Sequence, residues 1–87
     1  MARSITFTDR AWGDYRWWQD NDRATLEKLN NLIRECQRTP FAGTGKPEPL
    51  RNDLKGFWSR RITKADRLVY AVTAQTIDIV ACRFHYD

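Results

Sequence analysis

Histidine is nearly absent from this chain. The 87 residues hold one, His85, near the C-terminus, and only two cysteines, Cys36 and Cys82. No His/Cys/Asp cluster has the spacing of a metal site, so neither a metal nor a cofactor is expected. Cys36 falls in a helical pattern and Cys82 in a strand pattern; both read as small buried apolar residues of a protein kept in a reducing compartment. Long apolar runs are missing too. The opening stretch MARSITFTDRAW has no apolar h-region of a signal peptide, and no 18-residue apolar run is available to span a membrane. These absences place the chain in the cytoplasm, away from any membrane. Proline is scarce and confined: Pro40, Pro47 and Pro49 all lie between residues 39 and 50. There is no internal repeat and no low-complexity tract.

Aromatic side chains and positive charge are well supplied. Four Trp, three Tyr and four Phe suit a small core, and residues 1–87 form one domain. Such a domain buries only about 60 to 65% of the surface its unfolded chain exposes, so large side chains must carry its stability. The net charge of +4 points to a polyanion, with nucleic acid first and a membrane surface second.

The pattern along the chain predicts an α+β fold. Arg3 to Thr8 alternates, with Ile5 and Phe7 on one side, as a half-buried strand does. Asp9 is the expected N-cap of a helix whose apolar positions are Ala11, Trp12, Tyr15 and Trp18, ending near Gln19 to Asn21. Asn21 or Asp22 caps a second helix with the stripe Leu26, Leu29, Leu32, Ile33 and Cys36. It must end by Thr39, ahead of Pro40. The two helices form an antiparallel hairpin. Residues 39–50, TPFAGTGKPEPL, are a long loop, a kind of segment that is often functional. Three strand runs follow, Phe57–Thr63, Arg67–Thr73 and Thr76–Tyr86, with turns at Lys64–Asp66 and Ala74–Gln75. They form an antiparallel meander.

Four groups carry the candidate chemistry. Glu48 sits between Pro47 and Pro49, so the backbone sets its direction, as a base requires; the alternative is an exposed loop charge balancing Lys46. Arg60 and Arg61 alternate to opposite faces, and the link at 64–66 puts Arg61 and Arg67 on the same face, where two guanidiniums suit a phosphate. The alternative for each arginine alone is a solvated edge charge. His85, on a face with Ile77, Ile79 and Ala81, is either a half-buried histidine or a general acid. Together Glu48, Arg61, Arg67 and His85 would make a metal-free RNA-cleaving site, with the 2′-hydroxyl as nucleophile. Phe57, Trp58, Phe84 and Tyr86 are candidates to stack on bases, with core packing favoured for Trp58.

The segments RTPFAGTGKPEPL, LKGFWSRRI, RLVYAVT and ACRFHY, in this order, resemble the YoeB/Txe toxins of bacterial toxin–antitoxin systems, relatives of RelE and ParE. The layout of Trp12, Tyr15, Trp18 and Gln19, then Leu32-Ile33, extends the resemblance over nearly the whole chain. It implies a microbial-ribonuclease-like fold and a translation-dependent endoribonuclease that cuts mRNA in the A site of the bacterial ribosome. It also implies a YefM-like antitoxin, operator DNA bound only through the toxin–antitoxin complex, and a free toxin that tends to be a homodimer. By motif, Glu48 matches the general base, Arg67 the transition-state arginine and His85 the general acid. Arg61 matches a phosphate contact, Tyr86 a substrate-holding tyrosine, and Lys46 lies in the same loop. Arg51 stands where the family often has lysine, and Asp87 extends the chain past the usual terminal tyrosine. The rival readings are a ParE-like gyrase inhibitor and a non-catalytic basic module that binds RNA or antitoxin; neither needs an acid and a base.

The last hairpin supplies a geometric test. A two-residue turn at Ala74-Gln75 in unbroken register sets Arg67 across from Cys82 and turns His85 to the other face. One shared phosphate therefore requires a longer turn, a bulge or a strong terminal twist.

Overall fold

A computed structural model describes residues 2–84. The elements run β1 (Ser4–Phe7), α1 (Asp9–Asn21), α2 (Arg23–Arg38), β2 (Glu48–Pro49), a 3₁₀ turn (Asn52–Leu54), β3 (Trp58–Arg61), β4 (Arg67–Val72) and β5 (Thr76–Ala81). The strands form one five-stranded sheet in the order β1-β5-β4-β3-β2, and both helices cover one face of it.

The α+β architecture expected from the sequence is present, with four differences. The sheet is mixed: β1 lies parallel to β5, pairing Ser4 with Thr76 and Phe7 with Ile79, because two helices intervene and return the chain to the far edge. The loop contains a short strand, Glu48–Pro49, antiparallel to β3. It is an edge strand, the one place where proline's missing N–H breaks no ladder bond. The strands of the meander are shorter than expected, and Cys82 lies just past β5. Finally, Thr8 rather than Asp9 caps α1, its Oγ1 accepting the Ala11 N–H at 3.1 Å; Asp9 is the first helical residue, where a carboxylate still suits the helix dipole.

Helix α2 buries all five residues of its predicted stripe against the sheet. Asp22 alone links the helices and caps the second, accepting the Thr25 N–H and hydroxyl, which hold its carboxyl below the usual range. Helix α1 buries Ala11, Asp14 and Trp18, whereas Trp12 stays half exposed, stacked on Tyr15 at 5.7 Å and edge-on to Phe7. Ile5 is exposed as well, so β1 is less buried than its alternation implied.

The β4–β5 register decides the geometry of the C-terminal end. The two-residue turn is present, with the Thr73 N–H bonded to the Thr76 C=O at 2.9 Å. Val72 pairs with Ile77 and Tyr70 with Ile79, but Val69 pairs with Ala81. Val80 is therefore an extra residue, a β-bulge of the kind the shared-site argument required. Ile77 and Ile79 point into the core under the helices, and Ala81 moves off that face to sit opposite Val69. The expectation that Ala81 continues the face of the two isoleucines is thus corrected.

Candidate active site

The face of the sheet away from the helices carries the candidate residues. Leu68 and Tyr70 belong to the core beneath the helices, so alternation turns Arg67 and Val69 to the opposite face. Cross-strand pairing extends that face: Val69 faces Ser59, Ser59 faces Glu48, and Arg67 faces Arg61. Arg61 and Arg67 are thus directly opposed, as the spacing predicted. The Arg61 N–H points away from β4, to the Gly45 C=O at 2.7 Å, and the Arg67 N–H points away from β3. They form a non-hydrogen-bonded pair, whose Cα atoms lie about 4.5 Å apart. Glu48 is one diagonal step from Arg61, about 7–8 Å between Cα atoms and within reach of long side chains.

Like charges opposed across a sheet destabilise it. Among the described residues, neither arginine has a carboxylate partner within salt-bridge distance. Arg61 is exposed, and Arg67 rests its Nη1 on the carbonyls of the β3–β4 turn, 3.2 Å from Thr63 O and 3.3 Å from Asp66 O. Lys46, in the left-handed region at φ 52°, follows the Gly45 carbonyl that bonds Arg61 and adds charge at this corner. Arg51 is not brought to it. It lies beyond the other end of β2, three residues past Glu48, roughly 10 Å along the strand direction. His85 and Tyr86 lie outside the described residues. The chain reaches them through Phe84, whose C=O accepts the Arg67 N–H at 2.9 Å.

Sequence reasoning missed the residue that holds this loop in place. Arg60 is fully buried on the helix side of β3, not a solvated edge charge. Its Nε donates to the Tyr70 hydroxyl (3.1 Å), Nη1 to Glu35 Oε1 (2.8 Å) and the Thr44 C=O (3.0 Å), and Nη2 to the Thr39 and Ala42 carbonyls. All five guanidinium N–H groups are occupied. Tyr70 passes the contact on, donating to the Pro40 C=O at 2.7 Å. Residues 39–44 therefore wrap a buried cation, and Gly43, at φ 118°, is packed so closely that a Cβ there would run into the Glu35 carboxylate. The available signal was that Arg60 shares a strand face with Trp58 and Ile62, where a charge must find partners.

Burial opposes the Arg60 charge, yet the Tyr70 and Glu35 contacts outweigh it and raise its pKa. Burial pushes the Tyr70 hydroxyl up to about 12, and it pushes both thiols up, Cys82 to about 12, so neither cysteine presents a thiolate near neutral pH. The Thr44 N–H, followed by Arg60, holds the Glu35 carboxyl below its ordinary 4.5. The unfolded chain then binds more protons at acid pH, so the contribution of Glu35 to stability is complete above about pH 4.5 and is lost as pH falls through the lower folded value. Glu35→Gln should flatten the fall in urea midpoint between about pH 5 and pH 3. Equal slopes for wild type and variant would show that the carboxylate contributes nothing there.

The chain that builds this site is similar to known proteins over nearly its whole length. The model of the YoeB-like toxin of bacterial type II toxin–antitoxin systems matches residues 7–86. The chain belongs to this family. It is 52% identical to the toxin YoeB of Escherichia coli K12 over 82 residues, covering 94% of this chain and 98% of that protein. The structure of a YoeB dimer from Staphylococcus aureus superposes with a TM-score of 0.91 at 40% identity, covering 99% of this chain and 100% of that one. A YoeB–YefM complex from the same organism gives 0.88 at 39% identity over 99% of this chain and 100% of that one. The RelE/YoeB-type fold expected from the sequence is therefore the fold of the chain, and the chain is a toxin of the type II toxin–antitoxin class. Among the described residues no helix is long and apolar enough to cross a membrane.

Proposed function

We propose that this toxin is an endoribonuclease that cuts mRNA in the ribosomal A site and so stops translation. The reading rests on one observation above others. Arg61, exposed, and Arg67, half-buried, are opposed on the sheet face away from the helices, without a carboxylate partner among the described residues, and Arg61 is one diagonal step from Glu48. Two cations kept together at a cost to the sheet suit a phosphate, which supplies the missing negative charge.

The chemistry follows from that placement. Glu48 takes the proton of the 2′-hydroxyl. The freed oxygen bonds to phosphorus while Arg61 and Arg67 stabilise the charge gathering on the phosphoryl oxygens. The bond to the 5′-oxygen breaks, and His85 gives that oxygen its proton. The products are a 2′,3′-cyclic phosphate, opening to a 3′-phosphate, and a 5′-hydroxyl. No step calls for a metal. Lys46 and Tyr86 hold substrate, and Arg51, remote from the arginine pair, is assigned to the flanking backbone of the RNA.

A YefM-like antitoxin is the proposed inhibitor, by analogy with the Staphylococcus complex. A second copy is the proposed partner of the free toxin, as in the Staphylococcus dimer. Operator DNA is reached only through the antitoxin complex. The site of action is the cytoplasm, where ribosomes are.

Primer extension on an mRNA, with and without ribosomes, tests the proposal. Wild type should give discrete stops only with ribosomes, and Glu48→Gln should lower their yield about 10²- to 10⁴-fold, the usual share of a general base. A folded Glu48→Gln protein that cuts at the wild-type rate would overturn it. So would a wild-type protein that leaves mRNA intact and blocks gyrase supercoiling.

A further inference from the structure

The chain beyond β5 is gripped at every turn up to Phe84. The Cys82 N–H donates to Asp14 Oδ2 at 3.0 Å, and the Cys82 C=O accepts Trp18 Nε1 at 2.8 Å. The Arg83 guanidinium lies 3.5 Å from the centre of the Trp17 ring and 4.4 Å from that of Phe84. At Phe84 both backbone groups are held from one place. Its N–H donates to Asp66 Oδ1 at 2.7 Å, and its C=O accepts the Arg67 N–H at 2.9 Å.

Asp66 is itself fixed. Its second oxygen accepts the Thr63 hydroxyl at 2.7 Å, and that same hydroxyl oxygen accepts the N–H groups of Ala65 and Asp66, each at 3.1 Å. The carboxylate is thus aimed by a closed turn. Phe84, held between Asp66 and Arg67, has φ 70°, a left-handed conformation that a bulky residue seldom adopts without being compelled.

We propose that Asp66 is a positioning residue for the general acid: by gripping the Phe84 N–H it fixes where the chain enters His85, relative to Arg67. The inference rests on the cleavage reading above, in which His85 delivers the final proton. The anchor of the acid and the phosphate-binding arginine are then neighbours in the chain, Asp66 closing the β3–β4 turn and Arg67 opening β4. A displacement of about 1 Å at the reacting atoms can cost a factor of 10². Asp66 acts through geometry rather than charge. An asparagine in its place keeps an oxygen for the Phe84 N–H and gives up only the bond from the Thr63 hydroxyl.

Single-turnover cleavage on programmed ribosomes tests this, together with hydrogen exchange of the Phe84 amide. Asp66→Ala should lower the maximal rate 10- to 100-fold, leave half-saturation within threefold and speed Phe84 exchange at least tenfold. Asp66→Asn should restore the rate to within threefold of wild type. Thr63→Val, which loosens the turn but leaves the carboxylate, should cost less than Asp66→Ala. The inference is overturned if Asp66→Ala cuts at the wild-type rate, if its loss lies in half-saturation, if Asp66→Asn is as slow as Asp66→Ala, or if Thr63→Val matches it. His85→Ala separates the two levels. If it is inactive while Asp66→Ala is normal, this inference alone fails; if it cuts normally, the cleavage reading fails with it.

Discussion

Arg60→Ala is expected to lose about 3–5 kcal/mol of folding stability, the usual cost of removing one partner from a buried ion pair. A domain of this class has only about 5–15 kcal/mol in total, so the variant should unfold at clearly lower urea and temperature than wild type. The loss has several sources at once. The Glu35 carboxylate, the Tyr70 hydroxyl and the carbonyls of Thr39, Ala42 and Thr44 all lose a donor. Arg60→Lys should recover little, because an ammonium has three N–H groups where this site uses five in a planar fork. Urea unfolding followed by far-UV circular dichroism measures the effect. A shift below 1 kcal/mol would show that the loop does not depend on its buried cation.

Arg67→Ala is expected to reduce ribosome-bound mRNA cleavage 10²- to 10³-fold, comparable with removing one donor from a charge-stabilising site. Its effect on stability should have the opposite sign. Arg67 faces Arg61 across the sheet, so removing one charge relieves repulsion. The melting temperature should stay level or rise slightly while activity collapses, the pattern of a residue kept for function. Arg67→Lys should recover only part of the rate, since a point charge cannot bind a phosphate bidentately. Cleavage and melting measured on the same preparation decide it: a variant that is slow because it is unstable would place Arg67 in the fold instead.

The two helices and the meander were legible because their apolar periods are strong. The α2 stripe is buried residue for residue, and the Arg61–Arg67 pairing followed from the length of one turn. What was not legible depended on distant partners. The parallel seat of β1 beside β5 needs the whole intervening chain, residues 8–75, to be placed first, and neither its alternation nor its length states an orientation. Arg60 looked like Arg61 because the tripeptide Ser59-Arg60-Arg61 does not say which face Glu35 and the loop carbonyls will cover. Asp66 was assigned to a turn, which is correct locally and silent about Phe84, 18 residues away. Trp12 fits the apolar period of α1 but falls at its margin, where the sheet ends and the side chain stacks outside.

Val80 is a single surplus residue in the pairing of the last strand with β4. Strand residues alternate in twos, so a single surplus residue reverses inside and outside for everything that follows, whereas two surplus residues leave the faces unchanged and only slide the chain by about 7 Å. The tail is therefore sensitive to parity as well as to length. Odd changes of chain length between Thr76 and Ala81 should be punished more than even ones, because they reverse the faces in addition to sliding the tail off its anchors on Asp14, Trp18 and Asp66. Such a rule gives this segment a reading frame of its own, kept by geometry rather than by side-chain chemistry.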